Sequence, residues 1–217
     1  MSRSAQDEKV TGTRRPSQPR ARRRLGVEER QRELLRACLA LIGTRPWEDV
    51  SMEEVASLAG ASKPLLYYYF PTKSDLYLAA VRSAAEELKA VTTIVEDLPP
   101  ALTLQRSLEA HVDWIDANAD AYLAVLQGGL SSDPAVQAIV EASRADVVDR
   151  LARGFGIRRV TPTQRTILRG WVGFLEGACL DWLANRDLSK RRLVQMLAAS
   201  VPAVVATATD AQHRHWL

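Results

Sequence analysis

The chain predicts an all-α fold, with an N-terminal three-helix domain followed by a larger helical one. Three observations carry that prediction. Apolar residues recur at three- and four-residue spacing from Val27 to near the C-terminus, and no stretch alternates apolar with polar as a half-buried strand would. Helix-start residues (Ser51, Ser62, Thr72, Asp133-Pro134, Thr161-Pro162 and Ser189) stand just before the periodic runs. Breakers fall between them, at Pro46, Pro99-Pro100, Gly128-Gly129 and Gly154–Gly156. With 217 residues, 47% of them hydrophobic, there is enough apolar material for a sizeable core.

In the first helix, from about Val27 to Gly43, Leu34, Leu35, Cys38, Leu41 and Ile42 form one stripe. Trp47 and Val50 are placed beneath the turn that follows. Ser51-Met52-Glu53-Glu54 has the spacing of a capping box and opens a short second helix with Val55 and Leu58 inward. Ala59-Gly60-Ala61 is the turn. Ser62 then caps a third helix in which Leu66, Tyr69 and Phe70 face inward while Lys63, Pro64, Leu65, Tyr67 and Tyr68 face outward. Thr72 caps a long helix to about Glu96. Further helices are expected over Leu102–Asn118, Tyr122–Leu126, Asp133 to about Gly154, Thr163–Ala184 and Lys190–Thr209, the last containing Pro202.

Charge is unevenly spread. Residues 1–24 hold eight Lys or Arg and two acids, a net of +6, while the remaining residues hold 21 bases and 24 acids, a net of −3. The first segment has no apolar periodicity, so it reads as a disordered basic arm suited to a polyanionic partner. It also lacks the apolar centre of a signal peptide. The longest apolar run, Leu193–Thr209, is interrupted by Gln195 and Pro202 and is short for a membrane span. Cys38 and Cys179 lie far apart in helical patterns, which argues against a disulfide framework and for a cytoplasmic location.

Helix, small-residue turn and helix, with the second helix exposed, is a helix-turn-helix pattern. Residues Val27–Leu76 resemble the N-terminal domain of the TetR (tetracycline repressor) family of bacterial regulators. The resemblance rests on Trp47-Glu48-Asp49-Val50-Ser51, Val55-Ala56-Ser57-Leu58-Ala59-Gly60-Ala61-Ser62, Leu66-Tyr67-Tyr68-Tyr69-Phe70 and Lys73-Ser74-Asp75-Leu76. It implies a DNA-binding domain at 25–75, a ligand-binding and dimerisation domain at 76–210 and a short tail at 211–217. It implies a sequence-specific regulator, a repressor released from a palindromic or pseudo-palindromic operator by a small molecule.

On that reading, Lys63, Pro64 and Leu65 meet base edges, with Lys63 donating to guanine and the other two offering apolar contact. Tyr67 and Tyr68 reach phosphate or sugar, and Ser51 and Ser62 bring helix N-termini to phosphates. Lys73 matches a lysine that the family uses as a phosphate anchor. Residues 25–75 carry six bases and eight acids, a net of −2, so the arm is expected to supply charge that the reading head lacks. Glu53 is the acid with no evident structural excuse.

In the larger domain, His111, Trp114, Asn118, Tyr122, Trp171 and Phe174 combine aromatic bulk with isolated polar groups, as a ligand pocket does. A mostly apolar or aromatic effector fits such a lining. Leu168, Val172, Leu175 and Cys179, with Leu197, Val201 and Val204, form stripes expected to meet a second copy in a homodimer, and Gly170, Gly173 and Gly177 make a seam for close helix approach. The competing classes are a helical protein-binding adaptor and an all-α enzyme. Against catalysis, His111, His213 and His215 lack metal-ligand spacing, and neither a phosphate loop nor a nucleophile motif is present. No cofactor, metal or membrane partner is expected.

Overall fold

Backbone donors at helix starts find their partners where the sequence places small polar side chains. Ser51 and Glu54 form a capping box, Thr72 and Asp75 form a second, and Thr161 and Gln164 a third. Asp133 Oδ1 accepts from the N–H groups of Ala135 and Val136. The computed structural model describes residues 26–94, 97–127 and 133–210, the side chains of 209 and 210 excepted. The basic arm, the tail at 211–217 and the Gly128-Gly129 stop lie outside the described residues.

Among the described residues there are nine α-helices, one 3-10 turn and no strand. They are α1 (Val27–Ile42), the turn Trp47–Asp49, α2 (Met52–Leu58), α3 (Lys63–Tyr69), α4 (Lys73–Thr92), α5 (Pro100–Ala117), α6 (Ala119–Gln127), α7 (Pro134–Gly154), α8 (Pro162–Asn185) and α9 (Lys190–Asp210). The fold is all-α, as the periodicity predicts. The helix from Thr72 stops at Thr92, short of Glu96. There the Thr92 and Thr93 hydroxyls donate to the Leu88 and Lys89 carbonyls, at 2.8 and 2.7 Å, and Thr93 turns to extended backbone.

Two buried clusters organise the packing. The first joins Leu34, Cys38 and Ile42 of α1 to Val50, Val55, Leu66 and Phe70, and to Leu76, Tyr77, Ala80 and Val81 of α4. Val136 of α7 completes it. The second joins Leu108, Val112 and Ile115 of α5, Val148 and Leu151 of α7, and the inward faces of α8 and α9. α4 therefore has its first half in one cluster and its second half beside the other. Gly43, at the end of α1, lies so close to the start of α6 that a Cβ there would stand 2.5 Å from Asp120 Cβ.

Two assignments change, one inward and one to the dimer face. Leu58 is 57% exposed at the last position of α2, because Met52, Val55 and Ala56 already fill that short helix's inner side. The stripe Leu168, Val172, Leu175 and Cys179 is buried within this chain, as are Leu197 and Val201, and Val204 packs on the same cluster. These residues form the core rather than a face toward a second copy. A helix that is apolar almost all round gives no phase from its sequence, and α8 uses this stripe to meet α5, α7 and α9. Among the residues that α8 leaves outside are Gly170, Gly173, Phe174 and Gly177, and among those of α9 are Met196, Ala199, Pro202, Ala203 and Ala206.

Candidate nucleic-acid interface and effector cavity

The turn between α2 and α3 is built by local chemistry. Gly60 takes φ +62°, a conformation that glycine adopts without strain, and the Ala61 N–H reaches back to Ala56 O at 2.8 Å. Ser62 then caps α3, accepting from the Leu65 N–H at 3.4 Å, and Pro64 sits in the first turn where no N–H is needed. Leu66 is fully buried and Phe70 nearly so, which fixes the rotation of α3. Tyr68 is left 78% exposed and Tyr67 40% exposed, with Ser62, Lys63 and Pro64 also at the surface and Leu65 and Tyr69 half-buried. The outward face is the one read from the sequence except at Leu65, which is half-buried.

Electrostatics refine that face. Glu53 on α2 pairs with Lys63 on α3, so the acid without an evident purpose holds the first cation of the exposed helix. The pair pushes the Glu53 carboxyl down and the Lys63 ammonium up through their mutual hydrogen bond. Lys63 Nζ also lies 5.8 Å from the Tyr67 ring centroid. To reach a base edge, Lys63 must leave Glu53, and an exposed pair of this kind is weak. Ser51 acts in its capping box, where Glu54 also receives Arg45 at 2.6 Å. Lys73 lies over the Trp47 ring at 4.7 Å and donates to Glu48 O at 2.9 Å. That second contact ties the start of α4 to the 3-10 turn, a role the sequence did not signal.

Behind the reading head, α4, α5, α7 and α8 enclose a cavity of about 960 Å³, and a chamber of about 120 Å³ adjoins it. His111 lines both. Trp171 lines the larger one, and Trp114, Asn118 and Tyr122 line the smaller. Phe174 does not join them. It is 46% exposed, on the outer side of α8 with Gly170, Gly173 and Gly177, while Trp171 is buried. Leu39 of α1 closes part of the inner chamber, so the reading head's first helix contributes to its wall. Sequence reasoning missed Arg150, Asp146, Lys89 and Thr92, which line the larger cavity from α7 and the end of α4.

Burial sets the protonation of this region. His111 is pushed down to about 4 by burial and by the Arg150 charge, so its ring is neutral near pH 7. His111 Nε2 and Trp114 Nε1 are buried without a hydrogen-bond partner among the described residues. Burial drives the Tyr122 phenol well above its ordinary range and the Cys38 and Cys179 thiols up to about 12. Neither cysteine is a nucleophile in such surroundings. Among the described residues no group of three or more His, Cys, Asp or Glu is placed to hold a metal ion. No described helix is long and apolar enough to cross a membrane.

Comparison with known proteins decides what this arrangement is. Residues 34–80 match the profile "Bacterial regulatory proteins, tetR family", and residues 100–204 match "Tetracyclin repressor-like, C-terminal domain". The HTH-type transcriptional regulator EthR of Mycobacterium tuberculosis is 32% identical over 179 residues, 82% of this chain and 73% of that protein. The chain belongs to the TetR family. The HTH-type transcriptional activator FasR of Mycolicibacterium smegmatis is 29% identical over 182 residues, 79% of this chain and 81% of FasR. A TetR-family regulator from Streptomyces coelicolor superposes with a TM-score of 0.75 at 28% identity, covering 86% of this chain and 85% of that one. This TetR-family chain is a DNA-binding transcriptional regulator and not an enzyme.

Proposed function

We propose that the protein is a homodimeric, cytoplasmic repressor that binds a palindromic or pseudo-palindromic operator through α3 and leaves it when a mostly apolar small molecule fills the cavity. The observation that carries the reading is the position of α4. Its first turn bears Lys73 beside the reading head, and its last turns line the cavity through Leu88, Lys89 and Thr92. Occupancy of the cavity would then bias the separation of two reading heads, a shift between two dimer states. In this reading 25–75 is the DNA-binding unit, 76–210 holds ligand and partner, and Ser51, Ser62, Lys63, Pro64, Leu65, Tyr67, Tyr68 and Lys73 meet the operator.

The dimer surface is reassigned to the outer faces of α8 and α9. Phe174 and Met196 stand exposed there at 46% and 38%. Gly170 and Gly177 have nothing within 4 Å of a would-be Cβ, leaving room for a partner helix to approach closely. A second reading, an activator, is supported by the relative FasR, a transcriptional activator. Selection of bound genomic fragments, followed by footprinting, tests the proposal. Two protected half-sites about one duplex turn apart are expected, overlapping a promoter for a repressor and upstream of it for an activator. Phe174→Glu should yield monomers that protect neither half-site. A single asymmetric footprint from a monomeric wild-type chain would refute the dimer.

A further inference from the structure

The outer cavity carries Arg82, Lys89, Arg150 and Arg153 against Glu86 and Asp146, an excess of two cations among its described lining. Its polar groups are not scattered. Asp146 lies 2.7 Å from Lys89 and 2.9 Å from Arg150, Arg150 Nη1 donates to Thr92 Oγ1 at 3.0 Å, and Ser107 Oγ donates to Thr92 O at 2.7 Å. This clasp holds the last turn of α4 to α5 and α7. His111 lies one turn beyond Ser107 on α5, with Nε2 buried and unpartnered among the described residues. From His111 inward the charge is cancelled: Arg144 meets Glu176 through two nitrogens, at 2.7 and 2.8 Å, and the remaining wall is mostly apolar or aromatic.

A cation whose carboxylate is shared, beside an unfilled imidazole nitrogen and leading into an apolar chamber, fits one ligand chemistry. We propose that the cavity takes an amphiphile with a single carboxylate head and an elongated apolar body, the head between Arg150 and His111 and the body along the apolar walls of the larger cavity, with only its end entering the inner chamber. The head competes with Asp146 and Thr92 for Arg150 and so loosens the hold of α7 on the end of α4. The inference rests on the effector-cavity reading above and adds to it the ligand class and the contact through which binding is felt. A buried polar group without a partner is rare in native structures, and His111 Nε2 is the group such a head would satisfy.

The test uses the full chain and its intrinsic tryptophan fluorescence, since Trp114 and Trp171 line the two spaces. Octanoate, dodecanoate and hexadecanoate are titrated beside the matching alcohols. At least one carboxylate should bind saturably and at least about tenfold more tightly than its alcohol, the margin of a charge-assisted hydrogen bond. Arg150→Gln should erase the preference, and Asp146→Asn, which releases Arg150 from its partner, should increase it. The double variant Asp146→Asn/Arg150→Gln spares the fold an orphaned carboxylate and should also lack the preference. Equal binding of alcohols, an undiminished preference in Arg150→Gln, or no binding by any carboxylate would overturn the proposal. Operator affinity measured in parallel separates the two readings. A preferred carboxylate that leaves DNA binding unchanged removes the effector reading, whereas an alcohol that releases DNA equally well removes only the carboxylate head.

Discussion

Gly43→Ala is expected to destabilise the protein although alanine is the better helix former. Gly43 ends α1 in ordinary right-handed backbone, φ −70° and ψ −20°, so alanine adopts its conformation without strain. In open space such a change stabilises by about 0.4–1 kcal/mol through the unfolded chain. Here the new Cβ would stand 2.5 Å from Asp120 Cβ, 3.0 Å from Asp120 C and 3.1 Å from Ala121 N. Two of those atoms are backbone, so α6 itself must move. Overpacking of this kind costs about 1–3 kcal/mol, which outweighs the gain and leaves a net loss of about 1–2 kcal/mol. For a chain of this length that is a fall of about 2–8 °C in melting temperature. Gly154→Ala, with nothing within 4 Å, is the control and should not lower the melt. Calorimetry of both variants reads the difference. An unchanged or raised melting temperature in Gly43→Ala would refute the close approach of α1 to α6, and with it the contact between reading head and inner chamber.

The remaining predictions concern DNA and pH. Lys73→Ala should weaken binding roughly evenly on all sequences, whereas Lys63→Ala should relax preference at one base position per half-site. Competition by single-base operator variants distinguishes them, and if both merely scale affinity, Lys63 is not a base reader. A chain lacking residues 1–24 should bind all DNA more weakly and with a flatter salt dependence, because eight bases are removed from a protein whose reading head is net negative. An unchanged salt slope would count against the arm. His111, held neutral by burial and facing Arg150, with Glu86 and Asp146 on the same cavity wall, lowers stability in acid. Its folded value of about 4 lies below its ordinary 6.5, so the unfolded chain takes up the proton first. Its effect is absent above about 6.5 and grows as pH falls to about 4, reaching about 3 kcal/mol at most. His111→Gln should flatten that limb of a stability-against-pH curve, and an identical curve would contradict the burial.

The reading head was legible because its signals are local. A capping box at Ser51–Glu54, a glycine at the turn and a proline in the first turn of α3 each act over three or four residues, and burial of Leu66 and Phe70 then orients the exposed face. Much of the larger domain was legible only as helices. α8 is apolar on nearly every side, so periodicity cannot tell which stripe meets the chain's own core and which is left outside. The glycine seam was the better guide. Gly170, Gly173 and Gly177 lie on the exposed side, and Leu168, Val172, Leu175 and Cys179 on the buried one. The polar clasp of Lys89, Asp146, Arg150 and Thr92 joins residues up to 58 positions apart across α4 and α7, which no local pattern announces. The same is true of Glu53, whose partner Lys63 lies across the turn.

The central claim is that the α3 face reads DNA sequence. The most direct measurement is the affinity of the purified full-length chain for a selected operator duplex and for a scrambled duplex, titrated across a range of salt concentrations. Affinity for the scrambled duplex should fall steeply with salt, and the operator should retain an advantage of about a thousandfold or more throughout. That advantage should shrink in Lys63→Ala and in Tyr67→Phe/Tyr68→Phe. Equal affinity for the two duplexes, or an operator preference indifferent to these substitutions, would contradict the account.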